Sequence, residues 1–278
     1  MTTLLFVTLL WIGSLVAGLI GALTGLGGGV VIVPLLVFGF GVDIRYAMGA
    51  SLISVIATSS GAAAAYVREG YSNLRIGMFL EIATTAGAVC GAYLAVRLAT
   101  NLIGMIFGAV LILSAFLSFR ERPEQAYEGK ADRLASQLKM DSNYPTPDGL
   151  KSYHVRNVPG GLGLMFGAGT LSGLLGIGSG AFKVLAMDQA MKIPFKVSTT
   201  TSNFMIGVTA AASAGIYLKK GLIDPGLAMP VVLGVLVGSV VGTRVLVRAK
   251  AGWLRIVFSV VIIAFGIEMI YGALTGRL

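Results

Sequence analysis

The chain contains very few of the residues that build catalytic and metal centres. Its 278 residues include one cysteine, Cys90, and one histidine, His154. A single cysteine excludes an intrachain disulfide, and a lone histidine in a polar segment argues against a histidine-based metal site or a Ser–His pair within the apolar segments. We therefore expect a protein that is not an enzyme and that carries no metal or other cofactor.

Charge is also scarce in this sequence. Charged residues make up 12% of the chain and hydrophobic residues 56%, with a mean hydropathy of +0.87. An ordinary soluble domain is about 25% charged and about 45–50% apolar. The composition therefore indicates a polytopic protein of the lipid bilayer. The net charge of +9 does not indicate a nucleic-acid partner, because loop Lys and Arg residues of a membrane protein set its topology.

Apolar sequence is abundant and falls into long segments. No basic region precedes Leu4–Leu23, so we expect this stretch to be retained and not to be a signal peptide. Polar residues 120–158 separate a first membrane repeat, 1–119, from a second, 159–278. We expect 120–158 to be a solvated cytoplasmic linker with a short helix around Asp132–Met140. The apolar segments are 4–42, 46–66, 74–96, 102–119, 159–191, 197–218, 226–247 and 253–273.

The two sides of the linker repeat each other at a constant offset of 151 residues. Internal duplication of this kind is typical of secondary transporters. Matching residues include Gly25 with Gly176, Gly27 with Gly178, Gly29 with Gly180, Ser51 with Ser202, and Gly87 with Gly238.

Basic residues in the short loops predict the orientation of each half. The loop at 67–75 carries Arg68 and Arg75 and lies on the same side as the linker, so this side should be cytoplasmic. In the second half the bias reverses, which places corresponding loops on opposite sides. We therefore predict an all-α polytopic membrane protein of two inverted-topology repeats, each a Gly-broken helical hairpin plus three transmembrane helices. Both termini would be extracytoplasmic, in a cell (inner) membrane.

The glycine clusters predict where each hairpin turns. Residues 30–42 rise only about 20 Å as a helix, which is too short for a bilayer core of about 30 Å. We expect two short helical arms that turn near mid-depth, where irregular backbone is tolerated only inside protein or beside a water-filled cavity. Two full crossings for each glycine segment are the alternative.

The turns themselves suggest an anion site. A helix that begins after a glycine turn presents free N–H groups and a positive dipole end. Tight helix packing through small residues is the structural alternative. The predicted substrate-binding backbone comprises Gly27, Gly28, Gly29, Gly178, Ser179 and Gly180.

Polar side chains follow these clusters. Lys183 lies in an apolar stretch just past the second cluster, where a charge is costly and by default indicates function. It suits an anionic oxygen, although it could instead snorkel to the interface or pair with Asp188. Hydroxyl and amide donors on the following helices suit the same ligand, or else serve as helix caps and bonds to their own backbone. These residues are Ser51, Thr201, Ser202 and Asn203.

Glu81 is an acidic residue inside the apolar segment 74–96. A protonatable carboxylate at that depth is a candidate for proton coupling. A salt bridge to a basic residue such as Arg45 or Arg97 is the alternative. The repeat offers no second acid, because Val232 takes the matching position.

Two stretches carry a family resemblance. Residues 17–36 read AGLIGALTGLGGGVVIVPLL and residues 168–187 read AGTLSGLLGIGSGAFKVLAM. Together they resemble the paired signature of the TauE/SafE family of membrane transporters, a small-residue helix followed by Gly-x-Gly-Gly-Gly and an apolar run to proline. The resemblance implies export of sulfite or an organosulfonate, such as sulfoacetate, by alternating access across the inner membrane.

The second copy departs from the family pattern. Ser179 replaces the middle glycine, Lys183 stands where the first copy has an isoleucine, and Leu185 stands where it has Pro34. We expect the two halves to bind a small anion between their glycine turns. An anion channel of the same fold and a non-transporting membrane scaffold or assembly factor are the rival functions, and a homo-oligomer is an open alternative to a single chain.

Overall fold

Helices dominate the part of the chain that the structure describes. A computed structural model describes residues 2–24, 28–68, 72–119, 132–146, 149–246 and 251–277. The first half contains α1 (Thr3–Thr24), α2 (Gly29–Pro34) continuing as a π-helical turn (Leu35–Gly39), α3 (Ile44–Arg68), α4 (Leu74–Arg97) and α5 (Thr100–Phe119). The linker contains α6 (Arg133–Gln137), β1 (Ser142–Thr146) and β2 (Gly149–Tyr153). The second half contains α7 (Val158–Leu175), α8 (Gly180–Leu185) continuing as a π-helical turn (Ala186–Ala190), α9 (Phe195–Lys219), α10 (Pro225–Leu246) and α11 (Ala251–Thr275).

The secondary structure repeats in step with the sequence. Adding 151 to the first residue of α2, α3, α4 or α5 gives the first residue of α8, α9, α10 or α11. Local signals explain part of this agreement: the Asn73 side chain accepts from the Ile76 N–H at the start of α4, and the Asp224 side chain accepts from the Gly226 N–H at the start of α10. Both π-helical turns recur at the same offset although Leu185 replaces Pro34, so proline is not what produces them.

Each glycine-broken segment pairs a long helix with a short one. The segment Gly29–Gly39 has a length of about 16 Å, whereas the 22 residues of α1 extend about 33 Å. The expectation of two short helical arms is therefore wrong for the first arm, α1, and holds for the second arm, Gly29–Gly39. Four helices in the described part of the chain contain a stretch long and apolar enough to cross a membrane, namely Thr3–Ile20, Leu74–Arg97, Thr100–Leu117 and Val158–Leu175.

Glycine seams join helices from opposite halves. A Cβ at Gly87 or Gly91 of α4 would meet the backbone of α7 at closer than 3.0 Å, and α1 meets α10 in the same way at Gly234 and Gly238. Small residues let membrane helices approach this closely. At these helix contacts the glycines therefore serve close helix packing, which was the structural alternative to an anion site.

Equivalent helices of the two halves pack against each other in antiparallel directions. On α3, Met48 lies next to Tyr217 near the end of α9, with 3.9 Å between Sδ and Oη. Ser59, further along α3, lies against the earlier residue Gly207 of α9. Gly108 of α5 lies against Gly266 and Ile270 of α11, and Gly266 against Ile112, which is again an antiparallel order.

The described part of the linker is folded. Its strands pair in an antiparallel hairpin, and Tyr144 and Tyr153 are buried within it, with their rings in edge-to-face contact. The linker shares an apolar cluster with Ile76 and Leu80 of α4 and with Met187 of the second π-helical turn. The short helix predicted near its start is confirmed as α6, but a solvated linker is wrong for these residues because packed apolar side chains hold it against the helices.

Candidate functional site

The start of α2 and the glycine turn before α8 meet in the interior of the helical domain. Ser51 Oγ, on α3 of the first half, donates a 2.7 Å hydrogen bond to the Gly176 carbonyl at the second turn. A Cβ on Gly29 would lie 2.9 Å from one methyl group of Val55, and a Cβ on Gly178 would lie 3.1 Å from the other. The start of α2 and the turn before α8 are thus separated by about one side chain.

Glycine is required on both sides of this junction. A Cβ on Gly29 would lie 2.6 Å from Ser51 Oγ and 2.9 Å from Val55, so a larger residue would push Ser51 away from Gly176. Gly176 and Gly178 have φ angles of +69° and +71°, a conformation that other residues adopt only with strain. These glycines therefore let the start of α2 approach the turn before α8, and they shape that turn.

The second turn also carries serine side chains. Ser179 has φ 46°, is 3% exposed, and its Oγ is a buried oxygen without a hydrogen-bond partner among the described residues. Ser202 Oγ, on α9, donates to the Gly180 carbonyl at 3.3 Å. Ser51 and Ser202 thus both hold the second turn through its backbone carbonyls, while the Ser179 hydroxyl is not committed to a partner among the described residues.

Thr201 and Asn203 lie beside this junction on α9. Thr201 Oγ1 accepts from the Asn73 backbone N–H at 3.1 Å, and the Asn73 side chain donates to the Met140 carbonyl and to Tyr153 Oη in the linker. Asn203 is half-buried. The structure therefore connects Thr201 to the folded linker.

A buried charged cluster lies within one helical turn of the second glycine turn. Lys183 on α8 is fully buried, and its Nζ donates to Thr209 Oγ1 on α9. The same hydroxyl lies 2.6 Å from Glu81 Oε1 on α4 and 2.8 Å from the Met205 carbonyl. Thr209 therefore bridges a buried cation and a buried carboxylate that come from different helices.

Glu81 is only partly satisfied by this bridge. Its Oε1 also accepts from Thr85 Oγ1 at 3.2 Å, but its Oε2 is buried and has no hydrogen-bond partner among the described residues. The residue is 7% exposed. A buried carboxylate oxygen without a partner carries a desolvation cost of about 1–3 kcal/mol or more.

Lys183 and Glu81 face each other in the structure, so the basic residue that lies opposite Glu81 is Lys183. Lys183 does not extend to an interface, because it is completely buried and donates to Thr209, and the partly buried Asp188 side chain accepts a hydrogen bond from Gln189. Arg45 donates to the Leu98 carbonyl at 2.7 Å. Glu81 therefore faces Lys183 across Thr209 and is not held by Arg45.

Thr209 is the site residue that sequence reasoning missed. It lies seven residues after Ser202 on the same helix, which places both hydroxyls on one helical face. That spacing was a usable signal. The partner that gives Thr209 its importance, Glu81, lies 128 positions away in sequence and gives no local signal.

One predicted residue, Gly27, lies outside the described residues. Gly28 is buried at the start of α2, and a Cβ there would approach Val235 at 3.1 Å. In the described part of the chain, no group of three or more His, Cys, Asp or Glu residues is placed to hold a metal ion.

Comparisons with known proteins now decide the family. The family model described as sulfite exporter TauE/SafE matches residues 10–269. The chain belongs to this family. It is therefore a multi-pass membrane protein of a transporter family, and the predicted resemblance is confirmed.

Curated relatives agree along nearly the full length. A probable membrane transporter protein, YunE of Bacillus subtilis, is 30% identical over 277 residues, which cover 96% of this chain and 97% of that protein. The probable membrane transporter protein YdhB of the same species is 26% identical over 242 residues, covering 87% and 89%. A probable membrane transporter protein of Methanocaldococcus jannaschii is 24% identical, covering 96% of each chain. No solved structure matches the chain.

Proposed function

We propose that this protein is a secondary transporter of small anions that exports sulfite or an organosulfonate, such as sulfoacetate. Membership of the sulfite exporter family supports the class of substrate. The observation that carries the proposal is the fully buried Lys183 next to the place where two broken helices meet. A buried cation is costly unless it is compensated, and charged side chains inside a membrane domain commonly mark a transport pathway.

We infer that the two halves have inverted topology. The antiparallel packing of α3 with α9 and of α5 with α11 supports this, because equivalent helices run in opposite directions when a two-fold axis lies in the membrane plane. The basic residues near the α3–α4 connection support a cytoplasmic linker in the inner membrane, with extracytoplasmic termini.

The proposed anion site lies between the glycine turns. Backbone N–H groups at the two turns would replace part of the anion's hydration shell, and Lys183 would supply a positive charge. Ser51 and Ser202 would exchange their carbonyl partners for the anion, and rocking of one half against the other would open the site to each side in turn. The residues assigned to it are Gly27, Gly28, Gly29, Ser51, Gly178, Ser179, Gly180, Lys183, Thr201, Ser202 and Asn203.

Counterflow in proteoliposomes tests this function. Vesicles containing the full chain are loaded with unlabelled sulfite, sulfoacetate, sulfate or acetate, and entry of labelled sulfoacetate is followed. We expect internal sulfite or sulfoacetate to accelerate entry, and Lys183→Met to reduce it at least tenfold. Lys220→Met is the control, because Lys220 is exposed at the end of α9.

The other outcomes separate the rivals. Downhill flux without acceleration by internal anion would indicate a channel. Absence of flux for every anion, in vesicles containing folded protein, would overturn the transporter assignment and favour a scaffold.

A further inference from the structure

We propose that Glu81, Thr209 and Lys183 form a proton-linked anion site, in which a proton on Glu81 accompanies an anion held by Lys183. This inference rests on the proposed anion transport and specifies its coupling. The three residues come from α4, α9 and α8, so the cluster exists only in the folded chain. Its parts are a buried ammonium, a bridging hydroxyl and a carboxylate with one uncommitted oxygen.

Charge compensation links the two ligands. When Glu81 is ionised, its negative charge compensates Lys183 through Thr209, and an added anion would face a carboxylate. When Glu81 is protonated, the buried Lys183 charge has lost its counterion, and a bound anion restores neutrality. Buried charges require such compensation, so anion binding and protonation favour each other. Linkage makes this effect reciprocal.

The geometry provides a place for the proton. Oε1 of Glu81 accepts hydrogen bonds from Thr85 and Thr209, while Oε2 is buried without a partner among the described residues. Protonation at Oε2 removes charge from that oxygen and leaves both existing hydrogen bonds in place. Thr209 acts as a positioning residue, because its hydroxyl holds Lys183 and Glu81 at either end.

Other charged groups around the cluster do not replace this pair. The sequences of α5 and α7 contain no Asp, Glu, Lys, Arg or His, and Asp188, beyond α8 on the π-helical turn, is partly exposed and accepts a hydrogen bond from Gln189. Arg75 on α4 donates to the Lys139 carbonyl in the linker. The remaining charged residues of α3, α4 and α9 lie near the helix ends, and these are Arg45, Arg68, Arg97, Lys196 and Lys219.

The coupling is a binding equilibrium and involves no covalent step. One proton and one anion would enter and leave the site together. For a monovalent anion the two charges cancel and the cycle moves no net charge, whereas sulfoacetate, with an ionised sulfonate and carboxylate, would carry one net negative charge with the proton.

Calorimetry of the purified full chain in detergent micelles tests the linkage without requiring transport. Methanesulfonate is the probe, because its own charge is constant across the neutral pH range. Titrations in buffers with different heats of ionisation report the protons taken up for each anion bound. We expect the wild-type chain to take up nearly one proton per anion and, over the pH range in which this uptake is observed, to lose about tenfold in affinity for each unit that the pH rises.

Two variants and a control complete the test. Glu81→Gln should keep anion binding but lose both proton uptake and pH dependence, whereas Thr209→Val should weaken the linkage. Glu268→Gln is the control, because Glu268 is an exposed acid on α11, and its proton uptake should match the wild type.

The results that would overturn the proposal are distinct. Binding of methanesulfonate by the wild-type chain without proton uptake would reject the coupling and leave anion transport standing. Undiminished uptake in a folded Glu81→Gln protein would also reject it. Failure of the folded wild-type chain to bind methanesulfonate, sulfite or sulfoacetate would overturn both the coupling and the proposed function.

Discussion

Positions that match at the 151-residue offset build two very different regions. Lys183, Thr209 and Glu81 form a buried charged cluster in one, whereas the matching residues in the other are Ile32, Thr58 and Val232. Among the described residues, Thr58 donates to two carbonyls of its own helix, those of Ser54 and Val55. The comparison teaches that the duplicated helices supply a common frame, while the buried pair of Glu81 from the first half and Lys183 from the second occurs at only one of the two equivalent places.

The largest predicted effect comes from breaking the charged cluster one residue at a time. Lys183→Met or Glu81→Gln alone should lower the free energy of unfolding by about 3–5 kcal/mol, because each leaves a buried charge without its counterpart. The double variant should recover most of this loss. Denaturant unfolding in micelles measures all three, and a loss in the double variant equal to the sum of the two single losses would show that the two charges are not coupled.

The threonines provide a matched pair of substitutions. Thr209→Val should cost about 1–3 kcal/mol, because it removes the bridge and leaves Lys183 and Glu81 Oε1 poorly satisfied. Thr58→Val should cost less than about 1 kcal/mol, because Thr58 only bonds to its own helix. The measurement is the difference in denaturant midpoint between the unfolding curves of the two variants. Similar losses of stability would contradict the conclusion that Thr209 bridges two charges whereas Thr58 does not.

The glycines at the helix starts sharpen the comparison further. Gly29→Ala should cost about 1–3 kcal/mol by crowding Ser51 and Val55. Gly180→Ala should cost less, because its close neighbour is the far end of the Ile206 side chain, at 2.7 Å, and this end can move. Thermal unfolding of the two variants in the same detergent shows which of them loses more stability. A greater loss for Gly180→Ala than for Gly29→Ala would contradict the prediction.

A further predicted effect of about 1 kcal/mol concerns the linker, which packs against the second π-helical turn. Burial raises the pKa of Tyr153 to about 12. Because Tyr153 ionises at a lower pH in the unfolded chain than in the folded one, its contribution to the free energy of unfolding should be complete below about pH 10. This contribution should be lost as the pH rises towards about 12, with a loss of about 1 kcal/mol near pH 11. Unfolding of wild type and Tyr153→Phe across this range measures the effect.

The phenylalanine variant should lack that pH-dependent component. It should also lose the hydrogen bond from the Asn73 side chain, at 2.7 Å, even near neutral pH. Identical pH profiles for the two proteins would show that Tyr153 ionisation does not destabilise the linker.

The linker shows why some of the fold escaped prediction. Its charges and prolines are typical of a solvated segment, and this composition outweighed the few apolar residues between them. Tyr144, Tyr153 and Met140 become buried only because Ile76, Leu80 and Met187 lie opposite them. No local pattern specifies that opposing surface.

The sequence by itself determined the membrane class, the family resemblance, the duplication and nearly all helix boundaries. These properties depend on local apolar runs, caps at Asn73 and Asp224, and glycine breaks, each of which acts over a few residues. Tertiary structure alone decided that Lys183 meets Glu81 through Thr209, and that Ser51 of one half holds Gly176 of the other. Those contacts join helices far apart in the chain, so they depend on how closely packed helices align and not on the spacing of residues along any one of them.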